Sequence, residues 1–296
     1  MEFAMETTLN HCKNCNTPLT GEYCHQCGQQ DKQSVRSVFA VVGDLFGELG
    51  HWDSRFYRTL SGLFLKPGFL SSEFVMGRHA SYVPPLRLYF FISLISFMVL
   101  TSLIRIDFEQ TAENRAQGNS QINSSFEFQD TDLTWLDEEQ KTELEVKLHH
   151  LQKNPDQFVQ KLISMTPQMM LLMLPFWALY LKALYLFTHR YYLEHLTVAL
   201  HTHAFILLSL MLLTLLESTL DKVSQSLEWQ WLTSFGDLLE YMLFGWGIIY
   251  LILTQKRFYQ QSWPMTLFKF CWCFLGYLFL LLGSFVLMVI IGILNA

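Results

Sequence analysis

The residues best suited to chemistry lie near the start of the chain. Cys12 and Cys15 form one Cys-x-x-Cys pair, Cys24 and Cys27 form another, and Asn16 to Tyr23 separate them. Each pair can bend into a turn that points both sulfurs at one ion, and two such turns make a closed tetrahedral site. Four thiolates leave no position open for water. The expected ligand is therefore a structural zinc, one per chain, that folds the segment rather than catalysing. A redox dithiol pair or an iron site is the alternative. Thr20-Gly21 falls where the tight turn of a short β-hairpin would lie, and Gly28 supplies permissive backbone after the second pair. A hairpin this small cannot bury a core, so it is expected to unfold locally without metal. Thiolates also need a reducing space, which places the N-terminus in the cytoplasm.

A second group of polar residues brackets two apolar stretches. Arg78, His79, Tyr82 and Arg87 precede one; Glu194, His195, His201 and His203 open another. Ionisable groups at membrane depth are functional suspects by default. Arg78, His79, Arg87, His195, His201 and His203 are thus candidate lipid or ligand contacts. Helix geometry limits a shared metal. At 100° per residue His201 and His203 stand about 200° apart, and His195 and His203 are separated by roughly 12 Å along the axis. A second ion would need ligands from a neighbouring helix, such as Glu194 with His79. The preferred reading is plainer: His201 and His203 make interhelical hydrogen bonds. Cys271 and Cys273 are expected to be buried, inert thiols. The chain has no Walker-type glycine loop, no His-Glu-x-x-His and no nucleophile elbow, and no catalytic residue is assigned.

The elements that must position these groups follow from composition. The 296 residues are 51% hydrophobic with 25 Phe and only 16% charged, and the apolar residues come in long runs. That excludes a single soluble domain. Met1 to His11 is polar and short, unlike a secretory leader. The expected fold is a predominantly α membrane protein: a small N-terminal four-cysteine zinc ribbon with β-hairpin knuckles, amphipathic interfacial helices and about five transmembrane helices. Residues 1–30 read as the cytoplasmic ribbon and 31–85 as juxtamembrane helices, over Ser34–Leu49 and His51–Leu65. The first span is 86–104. Residues 105–165 form an extracytoplasmic polar segment, helical near Thr134–Gln152 and a mobile loop before Phe126. Residues 166–296 hold four spans, at about 167–187, 196–216, 238–254 and 266–294. Pro175 is expected to kink the second.

Charge orients these spans. With the N-terminus inside, the inside holds 13 Lys/Arg and the outside 7. Cationic residues favour the cytoplasmic side, most strongly in short connections. Five spans then put the C-terminus outside. Residues 1–87 carry 8 Lys/Arg and 8 Asp/Glu, too balanced a field for nucleic acid.

Several stretches together resemble a bacterial family known as domain of unknown function 3667. They are Cys12, Cys15, Tyr23, Cys24, Cys27, Gly28 and Gln29; Asp53-x-x-Phe56 with Thr59-Leu60; Lys66-Pro67-Gly68; Gly77-Arg78; Tyr82; and Pro85-Leu86-Arg87-Leu88-Tyr89. Leu174-Pro175, Tyr192-x-Glu194-His195 and His201-x-His203 continue it. The resemblance implies a zinc ribbon joined to several membrane helices in the bacterial inner membrane, and it implies no activity. Where that family has Gly after the first cysteine pair and a second basic residue after Gly-Arg, this chain has Asn16 and His79. Asn tolerates left-handed backbone, so the ribbon expectation stands.

Three functions fit. The leading one is a non-enzymatic docking or scaffold protein whose ribbon meets a cytoplasmic protein partner. The second is a transporter of a small solute or lipid, which with so few spans would work as a homo-oligomer. The third is an enzyme acting on a membrane substrate through the His/Arg cluster. The topology is directly testable. Alkaline phosphatase fused at the C-terminus is expected to be active, and fused at residue 190 inactive; the opposite pattern would invert the chain.

Overall fold

The structure, a computed structural model, describes residues 11–30, 54–117, 146–147, 155–227 and 229–294. Proline, glycine and a few capping groups divide these residues into seven helices: α1 (Ser54–Leu65), α2 (Phe69–Val75), α3 (Pro85–Gln117), α4 (Pro155–Leu184), α5 (Tyr192–Leu227), α6 (Gln230–Tyr259) and α7 (Trp263–Leu294). α3 and α4 both begin on proline, whose fixed φ suits a first turn and whose missing N–H would be an orphan there anyway. α5 begins on half of a capping box: the carboxylate of Glu194, at the third helical position, accepts the Tyr191 N–H at 3.1 Å. α6 ends with Lys256 and Arg257 in its last turn, where the helix dipole favours cations, and with Gln260 in the left-handed region.

Among the described residues, five helices are long and apolar enough to cross a membrane, over Pro85–Ile104, Phe158–Leu184, Tyr192–Ser224, Trp231–Tyr259 and Trp263–Leu294. The chain is a predominantly α, multi-pass membrane protein. The helices run past their apolar stretches because a backbone leaving hydrocarbon keeps its internal hydrogen bonds until water can replace them. α3 thus continues beyond Ile104 to Gln117. α4 runs through both Pro167 and Pro175 as one helix. The expected helix at 34–49 lies outside the described residues, as does that at 134–152 apart from Val146 and Lys147. So does the stretch 118–125 of the expected loop.

The described chain forms two units. One comprises the cysteine segment, α1, α2, the start of α3, the end of α4, α5, α6 and the start of α7. Within it α5 and α6 pack side by side, and α1 and α2 lie against them. Half of the most apolar window of α5 is buried, against 6% for α6. His195, Thr197, His201 and His203 on α5 are accordingly buried against protein, not lipid. The rings of Phe205 on α5 and Tyr250 on α6 stack at 3.6 Å, and Phe64 of α1 packs on Phe205 at 5.5 Å. Lipid is as apolar as these side chains, so close packing and hydrogen bonds hold the helices together rather than water exclusion. The other unit contains the rest of α3, the first part of α4 and the end of α7. In it the Phe158 ring of α4 occupies the space beside Gly292 of α7.

Sequence periodicity reveals α1 but not α2, which is only 7 residues long. Gly68 starts α2 from the left-handed region (φ 71°), and a Cβ there would lie 3.1 Å from the Thr254 carbonyl oxygen and 3.2 Å from its Cα. The Lys66-Pro67-Gly68 turn thus sits directly on α6, where the Arg257 guanidinium donates to the Pro67 carbonyl and the Trp246 indole to that of Phe64, both at 3.3 Å. α2 ends in a Schellman turn: Gly77 (φ 85°) donates to the Phe74 carbonyl and Arg78 to that of Glu73.

Gly68→Ala adds both a left-handed backbone penalty and a clash with α6, together about 2 kcal/mol. Its thermal unfolding midpoint in detergent is expected to fall by several degrees. Gly245→Ala, where nothing lies within 4 Å of the added methyl group, is expected to leave the midpoint unchanged or raise it. Equal midpoints for the two variants would remove the Gly68–α6 contact from the account of stability.

Candidate metal centre and buried histidines

The two cysteine pairs build the same local structure twice. In the first, the Cys12 N–H donates to the Thr17 carbonyl and the Asn16 N–H to the Cys12 carbonyl; in the second, Cys24 donates to Gln29 and Gly28 to Cys24, all at 2.8 Å. Asn16 and Gly28, equivalent positions, both have positive φ, 61° and 71°. Each knuckle is closed by one isolated antiparallel bridge, His11 to Pro18 and Tyr23 to Gln30. The expected β-hairpin is corrected here. Among the described residues no strand pairs one knuckle with the other, and Thr20-Gly21 is a bend between two separate turns. The chain between the pairs is too short to form both a knuckle and a paired strand.

The four sulfurs converge. Cys12 Sγ lies 3.6 Å from Cys27 Sγ and Cys15 Sγ lies 3.5 Å from Cys24 Sγ, so the close pairs run across the knuckles. All four lie within 4.8 Å of one another. Metal–sulfur bonds of about 2.3 Å in a tetrahedron need sulfurs about 3.8 Å apart, so the donor set fits an ion. Among the described residues this is the one cluster of His, Cys, Asp or Glu whose ligand atoms lie close enough together for a metal. Thr17 holds the Cys15 thiol down to about 6, first through its hydroxyl and then through its N–H. Burial pushes the Cys27 thiol up to about 11. A bound cation would override both and keep all four as thiolates.

The centre does not hang free. Gln29, buried beside the second knuckle, donates from Nε2 to the Gly77 carbonyl at 2.7 Å. Its Oε1 accepts the N–H groups of His79 and Ala80, each at 3.1 Å. From the first knuckle, Asn14 Oδ1 accepts the Ser81 hydroxyl at 3.0 Å. Both knuckles therefore grip the turn just before the first span. Sequence alone does not find this grip; the one hint is a glutamine placed directly after Cys27-Gly28.

The other candidate residues separate. Arg78 makes a two-pronged ion pair with Glu73, and the His79 ring packs edge-on against Phe74. The Arg87 guanidinium lies over the Phe91 ring at 5.9 Å. Glu194 faces Arg190 at 3.8 Å and caps α5. His195, His201 and His203 are all buried, and each has a different partner. His195 Nδ1 lies 2.8 Å from the Tyr259 hydroxyl on α6, in a stack with Tyr185. His201 Nδ1 lies 2.9 Å from the Ser71 hydroxyl on α2. His203 Nδ1 donates to the Ala199 carbonyl of its own helix, 2.8 Å away. Ser71, Tyr185 and Tyr259 carry no motif and were not identifiable from sequence. Cys271 is exposed and only Cys273 is buried, which corrects the expectation that both are buried. The two are spaced two apart on one helix and so face different sides.

A double-mutant cycle on Ser71→Ala and His201→Ala, read by thermal or denaturant unfolding in detergent, is expected to give a coupling of about 1 kcal/mol. Additive effects would mean that the pair contributes nothing to docking α2.

No curated protein and no solved structure matches this chain. One family model does, over residues 53–97, the stretch that carries α1, α2, the gripped turn and the start of the first span; its description is Protein of unknown function (DUF3667), which bears out the resemblance read from these residues.

Proposed function

We propose that this chain is a non-enzymatic docking or scaffold protein of the bacterial cytoplasmic membrane, with a structural zinc in its cytoplasmic cysteine knuckles. The observation that carries the reading is the closed four-sulfur cluster held against the membrane-side turn. A closed thiolate site has no coordination position for substrate, so its ion supplies folding energy and a rigid surface. The surface left outside the grip includes Lys13, Glu22, Tyr23, His25 and Gln26, all exposed. Its mixed charge and exposed ring suit a protein partner better than nucleic acid. Because the knuckles are already held by Gln29 and Asn14, a partner would meet a pre-ordered surface and lose less entropy on binding. The excess of Lys and Arg on the assigned inner side supports a cytoplasmic N-terminus and an extracytoplasmic C-terminus.

A transporter of a small solute or lipid, working as a homo-oligomer, is the second reading. It is favoured by the polar residues His195, Thr197, His201 and His203 buried on α5. Their separate partners favour a helix-packing role instead, and they weigh against the enzyme reading, which needs them to meet.

Elemental analysis of the detergent-purified full chain is expected to give about one zinc per chain, lost in Cys24→Ser while the protein stays in the membrane fraction. A second metal that survives Cys24→Ser would overturn the non-enzymatic reading and bring a histidine–carboxylate site forward.

A further inference from the structure

We propose that metal occupancy of the cysteine knuckles is transmitted, through the Gln29 carboxamide, to the turn at Gly77–Ala80 and to α2, which docks on His201 of the third span. The inference rests on the metal reading above and adds what the metal controls.

Gln29 belongs to both structures at once. Its own carbonyl accepts the Cys24 N–H, the bond that closes the second knuckle. Its side chain satisfies three backbone groups of the turn, the Gly77 carbonyl and the N–H groups of His79 and Ala80. All three partners are main chain. The Gln29 side chain is thus the link between this knuckle and the turn, and a shift of the knuckle larger than that side chain can follow must move the backbone of the turn or strip its hydrogen bonds. The first knuckle reaches the same turn through Asn14 and Ser81.

The turn is equally tied on its other side. Arg78 N–H and Gly77 N–H close the end of α2, and the Arg78–Glu73 ion pair and the His79–Phe74 ring contact fasten the turn to it. α2 carries Ser71, whose hydroxyl meets His201. The exit of the turn is held by the Val83 N–H donating to the Thr59 hydroxyl at 3.0 Å. A continuous set of hydrogen bonds and one ion pair thus runs from the sulfur cluster to a buried histidine in the third span.

The physical lever is the size of the knuckles. Residues 11–30 contain too little apolar surface to hold their shape unaided, so the ion supplies the order. Without it the Gln29 carboxamide loses its fixed position. The buried Gly77 carbonyl and the half-buried N–H groups of His79 and Ala80 then lose their partner, and the turn must rearrange until water or other groups replace it. The turn and α2 therefore have two arrangements, gripped and released, and the ion binds only the first.

Hydrogen–deuterium exchange on the full chain in lipid nanodiscs tests this, with metal content measured on the same sample. Stripping the ion with a zinc chelator is expected to speed exchange across residues 77–83 by about tenfold and to raise it in α2, while α5 and α6 stay protected. Gln29→Ala is expected to reproduce that pattern with its metal content unchanged, because no ligand is altered. Two results would overturn the inference and leave the metal reading standing: unchanged exchange at 77–83 after chelation, or wild-type protection in metal-loaded Gln29→Ala. A protein that purifies without metal would sink both.

Discussion

Hydrocarbon offers no donor and no acceptor, and the architecture of this chain follows from that lack. Every spanning segment is a helix, because a helix satisfies its backbone internally. The most deeply buried polar side chains of the spans lie against protein instead of lipid. α5 shows this most clearly: it is the most buried of the five candidate spans and carries His195, His201 and His203. Two of these histidines reach across to another helix, at Tyr259 and Ser71. They act as specific joints where apolar side chains alone would not distinguish protein from lipid.

The same requirement explains the segment before the first span. α1 and α2 are not surface helices resting on the membrane by their apolar faces alone. The turn between them sits against α6 closely enough that a Cβ at position 68 would crowd the Thr254 backbone, and Trp246 and Arg257 of α6 donate to the carbonyls of Phe64, at the end of α1, and of Pro67, in the turn. This turn therefore fixes where α2 lies, and α2 in turn places Ser71 against His201. The Lys66-Pro67-Gly68 sequence acquires a physical meaning: proline and glycine set the turn, and the glycine also permits the approach.

The cysteine knuckles solve a different shortage. They have almost no core, and four sulfurs converging on one point replace it. Their repetition is structural as well as sequential, with Asn16 and Gly28 adopting the same left-handed backbone. What makes them part of the membrane protein, and not an appendage, is a pair of amide side chains, Asn14 and above all Gln29. Gln29 completes a knuckle with its backbone and a juxtamembrane turn with its side chain.

Local pattern was enough for much of this. Cysteine spacing alone identified the four convergent sulfurs, because ligand geometry is set within each Cys-x-x-Cys turn. Runs of apolar residues revealed that there are five candidate spans, because bilayer thickness sets a length that composition reveals directly. The left-handed Asn16 was legible for the same local reason. The tertiary structure decided the partners. Ser71 and His201 are 130 residues apart, His195 and Tyr259 64, and Gln29 and Gly77 48. Which side chain meets which depends on how each helix is rotated about its axis and how deep it sits against its neighbour. Short α2 was hidden because one face of seven residues is too brief for a period to show. The hairpin expected between the cysteine pairs also failed at this level: spacing places the ligands, but only the three-dimensional path of the chain decides whether the knuckles pair with each other or each close on themselves.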